Sequence, residues 1–326
     1  MSDIRFYVAF AALLTFLLTV GAGRVLLPLL RGARASQPIL EIGPAWHLSK
    51  KGTPTLGGVF FIIGIAVTLA VSALVVRGRL AASILLLLAF SLCAAGIGLL
   101  DDIRKLRKRE NQGLSAAQKY FLQLLVAALF LLAARARGMV DTAVWLPFFG
   151  RALDLGALYY PLALLYLTGL ENALNLTDGL DGLLSTTTAV MGAFLLLYGL
   201  FTGQALLVLT GAVLVGGTLG FLVFNRHPAR VFMGDTGSLF LGALVAGAGL
   251  LSARAPTVLL AGGVFVLEAV SVILQVFYFK ITHGKRLFPM APFHHTLEKR
   301  GLSENAVVGV FSLAALLFAV LAFLGG

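Results

Sequence analysis

The chain has 326 residues, with 25 Lys and Arg against 14 Asp and Glu, a formal net charge of +11. Apolar residues make up 59% and charged residues only 12%, about half the charged share of an ordinary soluble domain. This excludes most soluble enzymes and excludes disorder. Apolar runs near the length of a bilayer span recur along the whole chain, so the sequence describes an all-α, polytopic membrane protein. The one cysteine, Cys93, lies in an apolar run, which leaves no disulfide framework and no cysteine-based metal site.

Ten spans are expected, at about 6–30, 55–76, 80–100, 118–134, 157–173, 183–200, 205–224, 236–251, 257–280 and 305–324, forming one domain over 1–326. The first lacks a basic leader and a small-residue cleavage site and reads as a retained span. Seventeen of the 25 Lys and Arg fall in the odd-numbered loops and six in the even ones. The positive-inside rule then sets the odd loops in the cytoplasm and both termini outside. The basic charge is juxtamembrane, and no nucleic-acid partner is expected.

The polar motifs also gather in the odd loops. Between the first two spans stand His47, Lys50, Lys51 and Thr55, among Gly52, Pro54, Gly57 and Gly58. The lysines suit an anionic ligand or, equally, simple juxtamembrane charge. The third span ends on Asp101 and Asp102, followed by Lys105, Arg109 and, opening the fourth span, Lys119. Neighbouring residues on a helix point roughly 100° apart, so the two acids are expected to do different jobs. An ion-pair ladder with Lys105 is the plainer alternative.

Between the fifth and sixth spans lie Asn172, Asn175, Thr177, Asp178, Gly179, Leu180 and Asp181. This loop has no basic residue near it in sequence. It needs an external cation or basic groups from other loops, unless the acids serve as helix N-caps. Before the eighth span come Asn225, His227, Arg230, Phe232 and Asp235, where Asp235 fits either a hard-metal ligand or an N-cap. After the ninth span come His294 and His295 with Glu298. Glu268 and Gln275 lie inside the ninth apolar run, and Glu268 is expected to be structural first and functional second. There is no Walker A loop, no dinucleotide glycine fingerprint and no serine elbow. An inventory rich in Asp, with Lys, Arg and His, suits Mg²⁺-assisted phosphoryl transfer.

Five segments, in order, resemble the phospho-N-acetylmuramoyl-pentapeptide transferases, the translocase I family of bacterial peptidoglycan synthesis, within the polyprenyl-phosphate N-acetylhexosamine-1-phosphate transferases. They are KKGTPTLGG (50–58), DDIRK (101–105), NLTDGLDG (175–182), VFMGDTGS (231–238) and MAPFHH (290–295). The resemblance covers nearly the whole chain. It implies transfer of the sugar-phosphate of UDP-N-acetylmuramoyl-pentapeptide to undecaprenyl phosphate at the cytoplasmic face of the bacterial inner membrane, giving lipid I and UMP, and it suggests a homodimer.

The resemblance further makes Asp235 the Mg²⁺ ligand, Asp101 and Asp102 the paired carboxylates, with Asp101 deprotonating the lipid phosphate, and Asp178 a third catalytic acid. It assigns Lys50, Thr55, Asn175, Gly179, Leu180, Asp181, Asn225 and Phe232 to the nucleoside and diphosphate site, with Phe232 stacking on uracil. Lys105 and Lys119 fall near the phosphates, and Gln275 near the same site. His294 and His295 match the first two of three consecutive histidines, and Thr296 replaces the third. Attack by the lipid phosphate oxygen on the β-phosphorus is preferred over a covalent phospho-carboxylate. The rival readings are a sister enzyme transferring N-acetylglucosamine-1-phosphate to the same lipid and, in another class, a secondary transporter.

Overall fold

The computed structural model describes residues 2–33, 50, 52–108 and 112–326. His47, Lys51 and Arg109 lie outside the described residues. The helices are α1 (Ser2–Gly32), α2 (Gly58–Val75), α3 (Gly78–Lys108), α4 (Ala116–Ala136), α5 (Tyr159–Thr177), α6 (Leu183–Thr202), α7 (Ala205–Asn225), α8 (Gly234–Leu251), α9 (Ala255–Ala261), α10 (Gly263–Ile281), α11 (Phe293–Lys299) and α12 (Glu304–Gly325). Among the described residues, nine helices are long and apolar enough to cross a membrane. The fold is therefore all-α and polytopic. α5 packs in the same bundle, against α8, α10 and α4, but Glu171, Asn172 and Asn175 dilute its apolar character.

The expected spans agree with these helices to within a few residues, with two exceptions. α3 runs eight residues past the expected end at 100, so Asp101, Asp102 and Lys105 stand on its last turns. The ninth expected span, 257–280, is two helices, α9 and α10, broken at Gly262.

One feature was not expected. A two-stranded antiparallel hairpin, β1 (Ala143–Leu146) with β2 (Arg151–Asp154), fills the loop between α4 and α5. It closes the end of the bundle away from the motifs. Trp145 N–H donates to the carbonyl of Ala253 at 3.2 Å, and Phe148 N–H to that of Gly325 at 2.6 Å. The guanidinium of Arg254 lies 4.4 Å from the centre of the Trp145 ring, a cation–π contact.

α8 is the axis of the bundle. It is buried on nearly every side and packs against α3, α5, α2, α7 and α9. Lipid offers no hydrophobic drive between helices, so close backbone approach between small residues supplies the packing. A Cβ on Gly58 would fall 2.4 Å from Cα of Gly237, where α2 crosses α8. A Cβ on Gly98 would fall 2.2 Å from the carbonyl oxygen of Asp235, where α3 crosses the start of α8. The same economy joins α6 to α7, where a Cβ on Gly211 would meet the backbone of Leu196 and Gly192. Phe60, Phe61, Phe221 and Phe224 interlock edge to face between α2 and α7.

These crossings place the acids of α3 and α8 side by side, which gives a direct test. Gly98→Ala should lower stability in detergent by about 1–3 kcal/mol, as overpacking does, and reduce activity by displacing Asp235. Gly96→Ala on the same helix, with no atom within 4 Å of its added Cβ, should be neutral or slightly stabilising. Thermal unfolding of the two variants beside the parent protein checks this.

Candidate active site

The motif segments meet at one end of the bundle. Backbone pairing begins the assembly. Phe232 N–H donates to the carbonyl of Pro54 at 2.8 Å, Gly57 N–H to that of Phe232 at 2.9 Å, and Gly58 N–H to that of Met233 at 2.9 Å. The turn before α2 is thereby laid on the turn before α8. Gly234 sits between them with φ +76°, where a Cβ would be 2.6 Å from Oδ2 of Asp102 and 3.0 Å from Oγ1 of Thr55. Only glycine meets both demands, a left-handed backbone and no side chain.

Asp101 and Asp102 point apart, as their helical spacing requires. Asp102 is fully buried and takes the start of α8: Asp235 N–H at 3.2 Å, Thr236 N–H at 3.0 Å and the Thr236 hydroxyl at 2.7 Å. Asp101 turns to the other side. It accepts from Leu114 N–H at 2.6 Å and pairs with Lys105 at 2.7 Å. The ion-pair ladder is thus real, but it extends further. Lys105 also reaches Oδ2 of Asp235 at 3.0 Å, and Lys119 reaches the same oxygen at 2.7 Å.

Asn175 completes this knot. Its amide donates to Oδ1 of Asp235 at 3.0 Å and to the Ser238 hydroxyl at 2.8 Å, and its carbonyl accepts from Lys119 at 3.0 Å. Asp235 is not the cap of α8, since Met233 holds that position. Its carboxylate faces two ammonium groups.

The turn after α5 carries the second acidic group. Asp178 ends α5 and Gly182 begins α6, so neither Asp178 nor Asp181 is an N-cap. The missing counter-charge comes from another loop. Lys50 reaches Oδ1 of Asp181 at 2.7 Å and Oε2 of Glu304 at 2.7 Å. Oδ2 of Asp181 meets His227 Nδ1 at 3.0 Å and accepts Ala229 N–H at 3.0 Å. Asn225 ties the two turns together. It accepts from Gly182 N–H at 3.1 Å and from the Ser185 hydroxyl at 3.0 Å, and it donates to the Val231 carbonyl at 3.0 Å.

A cavity of about 250 Å³ lies between these groups, lined by Lys50, Thr55, Asp102, Asp178, Gly179, Leu180, Asp181, Asn225, Phe232, Gly234 and Asp235. Of the seventeen residues to which the resemblance gives a site role, ten line it. Lys105, Lys119 and Asn175 bond Asp235 from behind, and Asp101 binds Lys105. His294 is buried directly behind Gly179. His295 pairs with Glu298 at 2.7 Å, and the Thr296 hydroxyl donates to the Met290 carbonyl, closing the turn that a third histidine would occupy. Gln275 accepts from Leu287 and Phe288 N–H at 3.2 and 2.8 Å. It anchors the segment after α10 rather than lining the cavity.

The resemblance gives His227, Glu304 and Gly234 no site role. His227 stood within a noted segment. Glu304 looks in sequence like any acid in the first turn of a helix, and nothing local marks it.

Carboxylate oxygens of Asp101, Asp102 and Asp235 lie within 4.8 Å of one another. An all-oxygen, anionic set of this kind suits a hard cation such as Mg²⁺. A second group, Asp181, His227 and Glu304, is equally close; ammonium groups pair with both sets, Lys50 here and Lys105 and Lys119 there, but only the first is all-oxygen.

Residues 84–253 match the profile of glycosyl transferase family 4. Relatives match over almost the full length. A phospho-N-acetylmuramoyl-pentapeptide-transferase of Halalkalibacterium halodurans is 43% identical over 314 residues, 95% of this chain and 94% of the relative. The chain belongs to this transferase family. Enzymes of the same name from Clostridium kluyveri and Clostridium perfringens are each 39% identical, covering 97% of this chain and 98% and 96% of their own lengths. Membership favours the muramoyl-transferase reading over the N-acetylglucosamine sister enzyme.

The carboxyl of Asp178, outside the spans, is pushed up from 3.8 to about 8, first by burial and then by Asp235, Asp102 and Asp181. Between those values the folded protein keeps a proton that the unfolded chain gives up, so stability falls as pH rises through the window. Asp178→Asn removes this dependence. In Mg²⁺-free buffer its Tm advantage over the parent should widen from about pH 5 to pH 8. A gap that stays constant over this range would count against burial of Asp178 as the cause.

Proposed function

We propose that this protein transfers phospho-N-acetylmuramoyl-pentapeptide from its UDP derivative to undecaprenyl phosphate, releasing UMP and forming lipid I. The observation that carries the reading is the convergence of Asp102, Asp178, Asp235 and Lys50 on one small cavity, with Lys105 and Lys119 paired to its Asp235. Phosphoryl transfer asks little covalent chemistry of a protein. It asks for positioned cations against phosphate and for carboxylates that hold a metal or take a proton. Phe232 offers an aromatic face on which uracil stacks. Lys50 and Asn225 border the same cavity.

An apolar cavity of about 530 Å³ supports the lipid substrate. It runs between α5, α8, α9 and α10, with Tyr159, Tyr166, Leu170, Pro256, Val270 and Ala173, two residues before Asn175, among its walls. A polyprenyl chain in this cavity would lie along α5, whose C-terminal end carries Asn175 of the acidic knot. The basic loops face the cytoplasm of a bacterial inner membrane, both termini lie outside, and the working unit is a dimer.

In this reading Asp235, with Asp101 and Asp102 in reach, would hold Mg²⁺, which would offset phosphate charge and polarise the reacting phosphorus. Lys105 and Lys119 hold Asp235 in place and present positive charge to the diphosphate. An oxygen of the lipid phosphate attacks the β-phosphorus, a new P–O bond forms, and the bond from that phosphorus to the bridging oxygen breaks. UMP leaves with the electron pair. The proton on the lipid phosphate goes to a carboxylate. Asp102 lines the cavity but accepts from Asp235 N–H and from Thr236, and Asp101 accepts from Leu114 N–H and pairs with Lys105, so either acid gives up a present partner to take the proton.

Purified protein in detergent, given both substrates and Mg²⁺, should release UMP. EDTA should stop release, and excess Mg²⁺ should restore it. Asp235→Asn should lower turnover by about 10²–10³-fold, the scale of losing one electrostatic stabiliser of the transition state, and lower Tm, because Lys105 and Lys119 lose their carboxylate. Retained turnover removes Asp235 from the metal role. Release with UDP-N-acetylglucosamine in place of the pentapeptide substrate would transfer the protein to the sister reaction. Direct attack predicts no exchange of labelled UMP into the UDP-sugar without lipid acceptor; exchange would establish a phospho-carboxylate.

A further inference from the structure

Glu268 is a carboxylate buried in a membrane-spanning helix, and the reaction as set out above does not use it. It sits on α10 at 0% exposure, and His294 on α11 is also at 0%. One carboxylate oxygen accepts the backbone N–H of His294 at 3.1 Å, and the other meets ring Nδ1 of the same residue at 3.1 Å. The carboxylate thus grips His294 by backbone and ring together. Nε2, the other ring nitrogen, is buried with no hydrogen-bond partner among the described residues. It points at Gly179: a Cβ there would lie 2.2 Å from Nε2. Gly179 lines the 250 Å³ cavity, so a single glycine separates a bare imidazole nitrogen from the site.

A buried polar atom without a partner is costly, and the few in native proteins call for a reason. A structural histidine would satisfy both nitrogens. Here one nitrogen is fully engaged and the other is aimed at the one residue in the 178–182 turn whose lack of a side chain lets the ring approach. His295 packs against His294 with ring centres 4.1 Å apart and carries its own carboxylate, Glu298. The pair at 294 and 268 is therefore separate from the pair at 295 and 298.

We propose that Glu268 is a positioning residue that acts through His294. One oxygen already accepts the His294 backbone N–H, and with the other accepting from Nδ1–H the Nε2 lone pair is left facing the cavity wall at Gly179. This is the same relation by which a buried acid sets the tautomer of a catalytic histidine in hydrolases. Nε2 then takes a hydrogen bond from an N–H or O–H of the bound substrate when the 178–182 turn shifts. This use rests on the transferase reading; the tautomer itself does not.

Two measurements test it. Nitrogen-15 solid-state NMR of the histidine-labelled protein in lipid, with the His294 signals assigned by their loss in His294→Gln, should show a protonated Nδ1 and an unprotonated Nε2. The opposite tautomer overturns the proposal whatever the activity. In the UMP-release assay, Glu268→Gln should lower kcat about 100-fold while KM for either substrate changes less than about threefold. That lies between the ~10-fold of one ordinary hydrogen bond and the ~10⁴-fold of a wrong tautomer in a protease. Glu268→Asp should recover part of the loss.

Glu268→Gln added to His294→Gln should cost nothing more, because the two residues act as a unit. Additive losses, or a folded Glu268→Gln protein with the parent's kcat, would refute the role. If Glu268→Gln does not fold, the parent's NMR spectrum and the Glu268→Asp variant still decide. Failure of the Asp235→Asn prediction, with the expected tautomer intact, would fault the site reading and leave this pairing standing.

Discussion

Everything at the site depends on holding acidic side chains close together at the edge of a membrane, with Asp178 keeping its proton and the others set against fixed donors or cations. Asp101, Asp102, Asp178, Asp181 and Asp235 come from three different segments, and like charges so near one another repel in proportion to how little water screens them. The protein meets this with fixed positive partners rather than solvent. Lys105 and Lys119 share one oxygen of Asp235, and Lys50 spans Asp181 and Glu304. Asp102 instead takes N–H and hydroxyl donors from the first turn of α8, where the positive end of the helix dipole adds its charge. Removing Lys50 takes the ammonium partner from both Asp181 and Glu304, which is the expensive failure of a buried ion pair.

Helix packing supplies the precision this needs. The acids on α3 and α8 are held in register because the two helices touch backbone to backbone at Gly98, and α2 is held to α8 by Gly58 and Gly237. The polar network therefore rests on contacts that contain no polar side chain. Asn225 and Asn175 then act as cross-ties, each joining segments more than 40 residues apart in sequence.

Much of this was legible in the chain. Spans were legible because an apolar run in a membrane protein has one structural outcome. The different duties of Asp101 and Asp102 followed from the angle between adjacent helical residues, and the need of the 178–181 turn for distant positive charge followed from the absence of any nearby. What sequence could not supply was the partner. Lys50 meets Asp181 and Glu304 only because α12 starts beside the turn before α6, and no local pattern encodes that. The break at Gly262 was hidden because the apolar run continues through it. The hairpin at 143–154 was hidden because its strands are only four residues long, too short to show a period.

Lys50 brings out a further consequence. Its ammonium is not idle: it is already spoken for by two carboxylates. An anionic nucleotide that uses it does not gain a new ion pair but exchanges one anion for another. Much of the Coulomb energy cancels in such an exchange, so charge alone discriminates weakly among phosphorylated visitors at this corner. Selection there falls to shape, through the walls built by Phe232, Leu180 and Asn225. A mimic that fills those walls without carrying a diphosphate gives up less than its missing charge would suggest, because it leaves the original salt link intact.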